Sequence, residues 1–158
     1  MKVIIVSDTH GHNANFHRVL ELHTPDAIVH CGDLEGGEQE IRDSVKCPLY
    51  MVAGNNDYFS SLPRELDFTL GGYRVWLTHG HHYYVSMSPE YIRQEAALRD
   101  AQIVMYGHTH KPEVSYGQDV ISVNPGSLSY PRQEGRRPSY VIMEIDGRGE
   151  LHFTIAYL

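Results

Sequence analysis

Lys2-Val3-Ile4-Ile5-Val6-Ser7 runs straight into Asp8-Thr9-His10-Gly11, and the fold turns on this stretch. Val3 to Val6 are four β-branched residues in a row. A strand that is apolar at every position, not at every second one, is buried on both faces, as in a parallel sheet covered by further layers. The run stops at a carboxylate and an imidazole two positions apart. Ligands of open α/β sheets gather beyond the carboxyl ends of the strands, so Asp8 and His10 stand where a metal ion or a phosphate would sit. The ending recurs. Ile28-Val29-His30-Cys31 leads to Gly32-Asp33, Tyr50-Met51-Val52-Ala53 to Gly54-Asn55-Asn56-Asp57, Val75-Trp76-Leu77-Thr78 to His79-Gly80-His81, and Ile103-Val104-Met105-Tyr106 to Gly107-His108-Thr109-His110.

Between these runs the pattern changes period. Asn13 caps an expected helix to about His23, with Phe16, Val19, Leu20 and Leu22 on its apolar side. A second helix is expected from Gln39 to Val45, before a strand that ends at Ala53. Strand, helix, strand, helix, strand implies right-handed βαβ crossovers and a parallel sheet. The second half starts differently. Gly71-Gly72 between Leu66–Leu70 and Tyr73–Thr78 is a two-residue hairpin signal. Ser88-Pro89-Glu90 opens a helix to about Asp100. Short strands near Glu113–Tyr116, Val120–Val123, Tyr140–Ile145 and Leu151–Ala156 follow, and they read as a mostly antiparallel tail.

The 158 residues are expected to form one domain, 1–158, with no linker to divide them. Twenty Asp and Glu against thirteen Lys and Arg give a net charge of -7, which argues against a protein that grips long nucleic acid by neutralising phosphates. An anionic substrate must then meet positive charge locally, and bound divalent cations would supply it. Eleven histidines, never more than two in a row, fit that expectation. Cys31 and Cys47 form no metal or disulfide pattern. No apolar stretch approaches the roughly 18 residues of a spanning helix, and a soluble, cytoplasmic protein without a membrane partner is expected. The number of subunits stays open, a homodimer or higher homo-oligomer included.

Collected, the strand-end groups are Asp8, His10, Asp33, Asn55, His79, His108 and His110. All offer nitrogen or oxygen and none sulfur, a set suited to Mn, Fe or Zn rather than to a thiolate zinc site. Seven donors including a carboxylate able to bridge suggest a pair of ions, with Asp33 as the bridge. His17, His23 and His152 fall on helix or strand surfaces away from the strand ends.

The series Asp8-x-His10, Gly32-Asp33, Gly54-Asn55-Asn56-Asp57, His79 and Gly107-His108-x-His110 resembles the signature of the calcineurin-like metallophosphoesterases, in their small YfcE-type branch. Asn124-Pro125-Gly126-Ser127 resembles a further loop of that branch. The resemblance implies a four-layer αββα sandwich of two mixed sheets. It also implies one divalent ion on Asp8, His10, Asp33 and His110 and a second on Asp33, Asn55, His79 and His108. Manganese is the expected metal, with Fe, Zn, Ni or Co as alternatives. The implied reaction is hydrolysis of a small phosphodiester by a hydroxide activated between the ions. Asp57 is expected to orient a neighbouring group, and Asn124, Gly126 and Ser127 to touch a phosphate. Larger phosphatases of the family carry His after the metal-binding Asn; here that position is Asn56, whose amide cannot transfer a proton. His81, with His12 and His82 behind it, is the candidate to supply one. Arg132, Arg136 and Arg137 read as a solvated basic turn. A phosphomonoesterase or protein phosphatase is the alternative activity. A non-catalytic scaffold, like the retromer subunit of the same fold, is the alternative of another class.

Overall fold

The computed structural model describes residues 1–158. Strands β1 (Lys2–Val6), β2 (Ala27–His30) and β3 (Leu49–Met51) alternate with helices α1 (Ala14–Leu22) and α2 (Glu38–Ser44). Then come β4 (Glu65–Leu70), β5 (Tyr73–Thr78), α3 (Glu90–Leu98), β6 (Ile103–Met105), β7 (Pro112–Tyr116), β8 (Ile121–Pro125), β9 (Ser139–Ile145) and β10 (Leu151–Tyr157). The first sheet has the order β10-β9-β1-β2-β3 and the second β4-β5-β6-β8-β7. In the first, β1, β2 and β3 are parallel and β9 and β10 antiparallel to their neighbours. The second has a parallel centre of β5, β6 and β8, flanked by β4 and β7 running the other way.

The apolar run of β1 shows why there are four layers. Val3 and Ile5 join Val29, Leu77, Met105, Val123 and Met143 in a core lying between the two sheets. Ile4 and Val6 point the other way and pack with Ile28 against Phe16 and Val19 of α1 and Ile41 of α2. On the far side, Trp76 and Val104 of the second sheet pack against Ile92 and Ala96 of α3. The layers are therefore helices, sheet, sheet, helix, the αββα sandwich that the sequence suggests. No helix is long and apolar enough to cross a membrane.

Some local expectations need correction. β8 lies in the tail read as mostly antiparallel, yet it pairs parallel with β6, Val104 against Ser122. Asn13 makes no cap hydrogen bond to α1; its amide donates to Glu40 Oε2 at 2.8 Å and so ties α1 to α2. The Gly71-Gly72 hairpin forms with Leu70 opposite Tyr73. Both glycines have positive φ, +55° and +94°, as a tight hairpin turn matched to strand twist requires.

Candidate metal centre

Every strand-end group singled out from the sequence lies at one edge of the sandwich. Asp8, Asp33 and Asn55 follow β1, β2 and β3 of the first sheet; His79 follows β5, and His108 and His110 follow β6, of the second. Their backbones are unusual. Asp8, His10, Asp33, His108 and His110 have φ of 55°, 46°, 57°, 69° and 58°, the left-handed region that Asp and His visit more readily than most residues. Alternating left-handed positions turn Asp8 with His10, and His108 with His110, toward one point. Close approach makes this possible: a Cβ on Gly107 would overlap Ser7 Oγ and Asp8 Oδ2, and one on Gly54 would overlap the Asp33 carboxylate.

The donor atoms crowd. His110 Nε2 lies 3.0 Å from Asp8 Oδ1, and His10 Nε2 lies 3.8 Å from the same oxygen. Asp33 Oδ2 is 3.9 Å from His10 Nε2 and 3.4 Å from His79 Nε2. Asn55 Oδ1 faces His79 Nε2 at 3.1 Å and His108 Nδ1 at 2.9 Å. Two overlapping sets emerge, Asp8 with His10 and His110, and Asp8 with Asp33 and His79. Asp8 is common to both sets, its Oδ1 4.0 Å from His79 Nε2, while Asp33, read from the sequence as the bridge, belongs to the second and approaches His10 of the first.

Proton accounting tests whether such a cluster fits cations. His10 Nδ1 sits 2.6 Å from Glu35 Oε1, His79 Nδ1 2.7 Å from the Cys31 carbonyl and His110 Nδ1 2.7 Å from the Tyr130 carbonyl. Each acceptor claims the Nδ1 proton, so in the neutral ring Nε2 presents a bare lone pair to the centre. Yet His10 Nε2 and His110 Nε2 are 3.3 Å apart, and the buried Asp8 Oδ1 has no hydrogen-bond donor. Lone pairs turned on one another in a buried space repel unless positive charge lies among them. The donor set fits divalent ions.

The carboxylates and imidazoles also shift one another. Burial alone would raise the Asp8 and Asp33 carboxyls, but His110 and His79 respectively, among other partners, hold both below the usual carboxylate range. Burial pulls His79 down, and hydrogen bonding to Asp33 with the Asp8 and Asp33 charges more than reverses it. His108 is lowered by burial and by neighbouring His79.

The description "Calcineurin-like phosphoesterase superfamily domain" fits residues 1–148 of the chain. The chain belongs to that superfamily. It is 30% identical over 148 residues to the probable metallophosphoesterase YsnB of Bacillus subtilis (strain 168), covering 92% of this chain and 85% of the relative. With the phosphodiesterase YfcE of Escherichia coli (strain K12) it shares 28% over 171 residues, covering 92% and 89%. Vps29 of Entamoeba histolytica, solved in complex with zinc, superposes with a TM-score of 0.78 at 22% identity over 99% of both chains; this speaks to the fold alone. Membership of the superfamily makes the chain a phosphoric ester hydrolase and implies divalent metal ions.

Other residues of this phosphoesterase take up different work from that expected. Asn56 donates from its backbone N–H to Asp33 Oδ1 at 2.8 Å and from its amide to Asp33 Oδ2 at 2.7 Å, and so fixes a carboxylate of the cluster. Asp57 accepts from the N–H groups of Leu34, Glu35 and Gly54, binding the β2 loop to the β3 loop. The phosphate contact expected of Asn124, Gly126 and Ser127 needs correction. Asn124 and Ser127 are buried, at 1% and 0% exposure. Asn124 donates to the Gly107 carbonyl and Thr109, while Ser127 donates to the Asp8 carbonyl. Gly126 packs against Ser139 and Pro112. The loop props up the strand-end loops from beneath. His81 is 5.5 Å from His79 and 6.1 Å from His108 between ring centroids. Burial and three neighbouring imidazoles push it down to about 4, which leaves it without a proton to give at neutral pH. His17, His23 and His152 bind Glu40, Tyr140 and Asp146 away from the centre. The sequence reading missed Glu35 and Tyr130; Glu35 lies two residues past the strand end at Gly32-Asp33, but nothing local marks it as the partner of His10.

Proposed function

We propose that this phosphoesterase is a metal-dependent phosphodiesterase of small soluble diesters, using two divalent ions, manganese by preference. Asp8, His10, Asp33 and His110 would hold one, and Asp33, Asn55, His79 and His108 the other. The observation that carries the reading is the 3.3 Å approach of the His10 and His110 Nε2 atoms, with both Nδ1 protons committed elsewhere. The phosphodiesterase name of the YfcE relative supports the diester class. The ions would supply Lewis acidity, making water a nucleophile near neutral pH and neutralising phosphoryl oxygens.

The chain's own residues hold and aim. Glu35 and the Cys31 and Tyr130 carbonyls lock three imidazoles in one tautomer and orientation. Asn56 pins both Asp33 oxygens, and Asp57 holds two of the loops at fixed spacing. Since the Asn56 amide is spent on Asp33 and carries no transferable proton, the leaving group departs without general acid help from that position. Such help contributes about 10²–10⁴-fold, and its lack favours diesters with phenolic leaving groups over alkyl monoesters.

Elemental analysis and turnover of bis(p-nitrophenyl) phosphate test the reading together. Asp33→Asn removes a formal charge from among the donors, and metal content and activity should fall in step. Two equivalents of metal kept with full turnover would overturn the binuclear assignment. Faster cleavage of alkyl monoesters than of aryl diesters by the wild type would replace the diesterase with a monoesterase.

A further inference from the structure

Beside the centre a cavity of about 240 Å³ opens between the β3 loop and the start of β4, and Gly54, Asn55, Tyr58, Arg64 and His81 are among its walls. Asn55 is the residue whose amide oxygen faces His79 and His108, so the cavity borders the proposed reaction centre. Its volume lies below the roughly 300 Å³ at which sites for drug-sized ligands begin. It suits a phosphate and a few linking atoms, with the rest of a ligand lying outside it.

Arg64 is the positive charge in that wall, and no carboxylate answers it. Arg42, Arg93 and Arg99 each sit on a glutamate. Glu65, next to Arg64 in sequence, is taken by Arg99 and the Tyr83 hydroxyl. Asp57, in the same wall, already accepts three backbone N–H groups. The one polar partner of the Arg64 guanidinium is His82 Nε2 at 3.4 Å, a neutral contact at most. In a chain of net charge -7, an unanswered guanidinium at the mouth of an anion-handling centre has a use. The ring of His81 is a second unused group: its Nδ1 is buried without a partner.

We propose that Arg64 is a binding residue for a second phosphoryl group, so that the preferred substrate is a phosphodiester carrying an additional phosphate beside the scissile one. This rests on the phosphodiesterase reading above. The planar fork of a guanidinium matches phosphate oxygens two at a time, and Tyr58, 80% exposed, offers a ring face to the atoms that link the two phosphates.

The test uses one scissile bond with and without the extra charge: thymidine 5′-(p-nitrophenyl phosphate) and the same ester carrying a 3′-phosphate. With manganese-loaded wild type, the 3′-phosphate should raise kcat/KM by about tenfold, mostly through KM. In Arg64→Gln that ratio should fall to near one, whereas in Arg132→Gln, a basic residue outside this cavity, it should persist. A ratio near one in wild type, a ratio that survives Arg64→Gln, or its loss in Arg132→Gln alone would overturn the proposal. Should neither ester be cleaved, the diesterase reading fails instead, and calorimetry decides the binding claim separately. Thymidine 3′,5′-bisphosphate should then bind the metal-loaded wild type about tenfold more tightly than Arg64→Gln, and equal affinities would overturn it.

Discussion

Five of the side chains that meet at the centre stand on backbone at positive φ. Sparsely populated conformations of this kind cost of order 1–3 kcal/mol each unless the surroundings enforce them, so part of the stability of the fold is spent on aiming donors. The half-buried His108, at φ 69°, offers a direct check. In metal-stripped protein His108→Gly should melt above His108→Val, because glycine accepts the left-handed region and a β-branched residue does not. Both should lose turnover. Equal melting points would show that the backbone there is not strained. Asn56 gives a second expectation. Replacing it with His supplies a transferable proton but withdraws the amide from Asp33, so poor leaving groups should gain relative to good ones while metal affinity drops about 10–100-fold. His81→Ala is the control, and an unchanged leaving-group dependence in Asn56→His would remove Asn56 from the account of substrate class. At this scale the sequence exposes the donors well. Each ends an apolar run, and periodicity marks such places without knowledge of the fold. The role of Ser127 is hidden, because its burial depends on a loop about 120 residues away from Asp8 coming to lie beneath it.

Among the elements, local signals read correctly and pairings between distant segments do not. The Gly71-Gly72 hairpin is encoded by the turn itself. The direction of β8 relative to β6 is not. β7 and β8 form an antiparallel pair, as a local hairpin would, but β8 also inserts beside β6, and which neighbour it takes depends on the whole sheet. The cap expected at Asn13 fails for a like reason: Glu40, on another helix, competes for its amide. The contact of the β6 loop with the β1 loop rests on Gly107, where a Cβ would overlap Ser7 and Asp8. Gly107→Ala should therefore displace the β6 loop with His108 and His110, costing most of the bound metal and about 1–3 kcal/mol of stability. Wild-type metal content in that variant would show that the loops yield more readily than their packing suggests.

For the whole molecule, metal and pH act on the same balance of charge. An ion at 100 times its Kd stabilises by about 2.7 kcal/mol, and a domain of this length gains roughly 2–4 °C per kcal/mol. Chelation should thus lower Tm by about 5–10 °C per site emptied, whereas a chelator-independent Tm would argue against ions at this edge. Acid adds its own effect through His30. This residue is fully buried between Thr9 and the Gly32 N–H, and burial pushes its imidazole down to about 4. The folded state keeps it neutral while the unfolded chain takes up a proton below about 6.5. Its contribution is therefore intact above pH 6.5 and is lost between pH 6.5 and 4, by about 3 kcal/mol in all. In metal-stripped protein His30→Gln should flatten the stability profile in that window, and an imidazole NMR titration should show His30 uncharged at pH 5.5. A His30 midpoint near 6.5 would cancel the expectation.

The donors come from both sheets, Asp8, His10, Asp33 and Asn55 on one side and His79, His108 and His110 on the other. Bound ions would act as rivets through the seam of the sandwich, joining the carboxylates of one sheet to the imidazoles of the other. Taking them out should loosen the molecule along one line, from this edge inward. Amides of the β2 and β6 ends should exchange with solvent ahead of those of β9 and β10, and protease nicks should gather in the loops at 54–61 and 107–111. The working life of the protein would then follow its metal supply, and a chain starved of ions would be cleared before it unfolds.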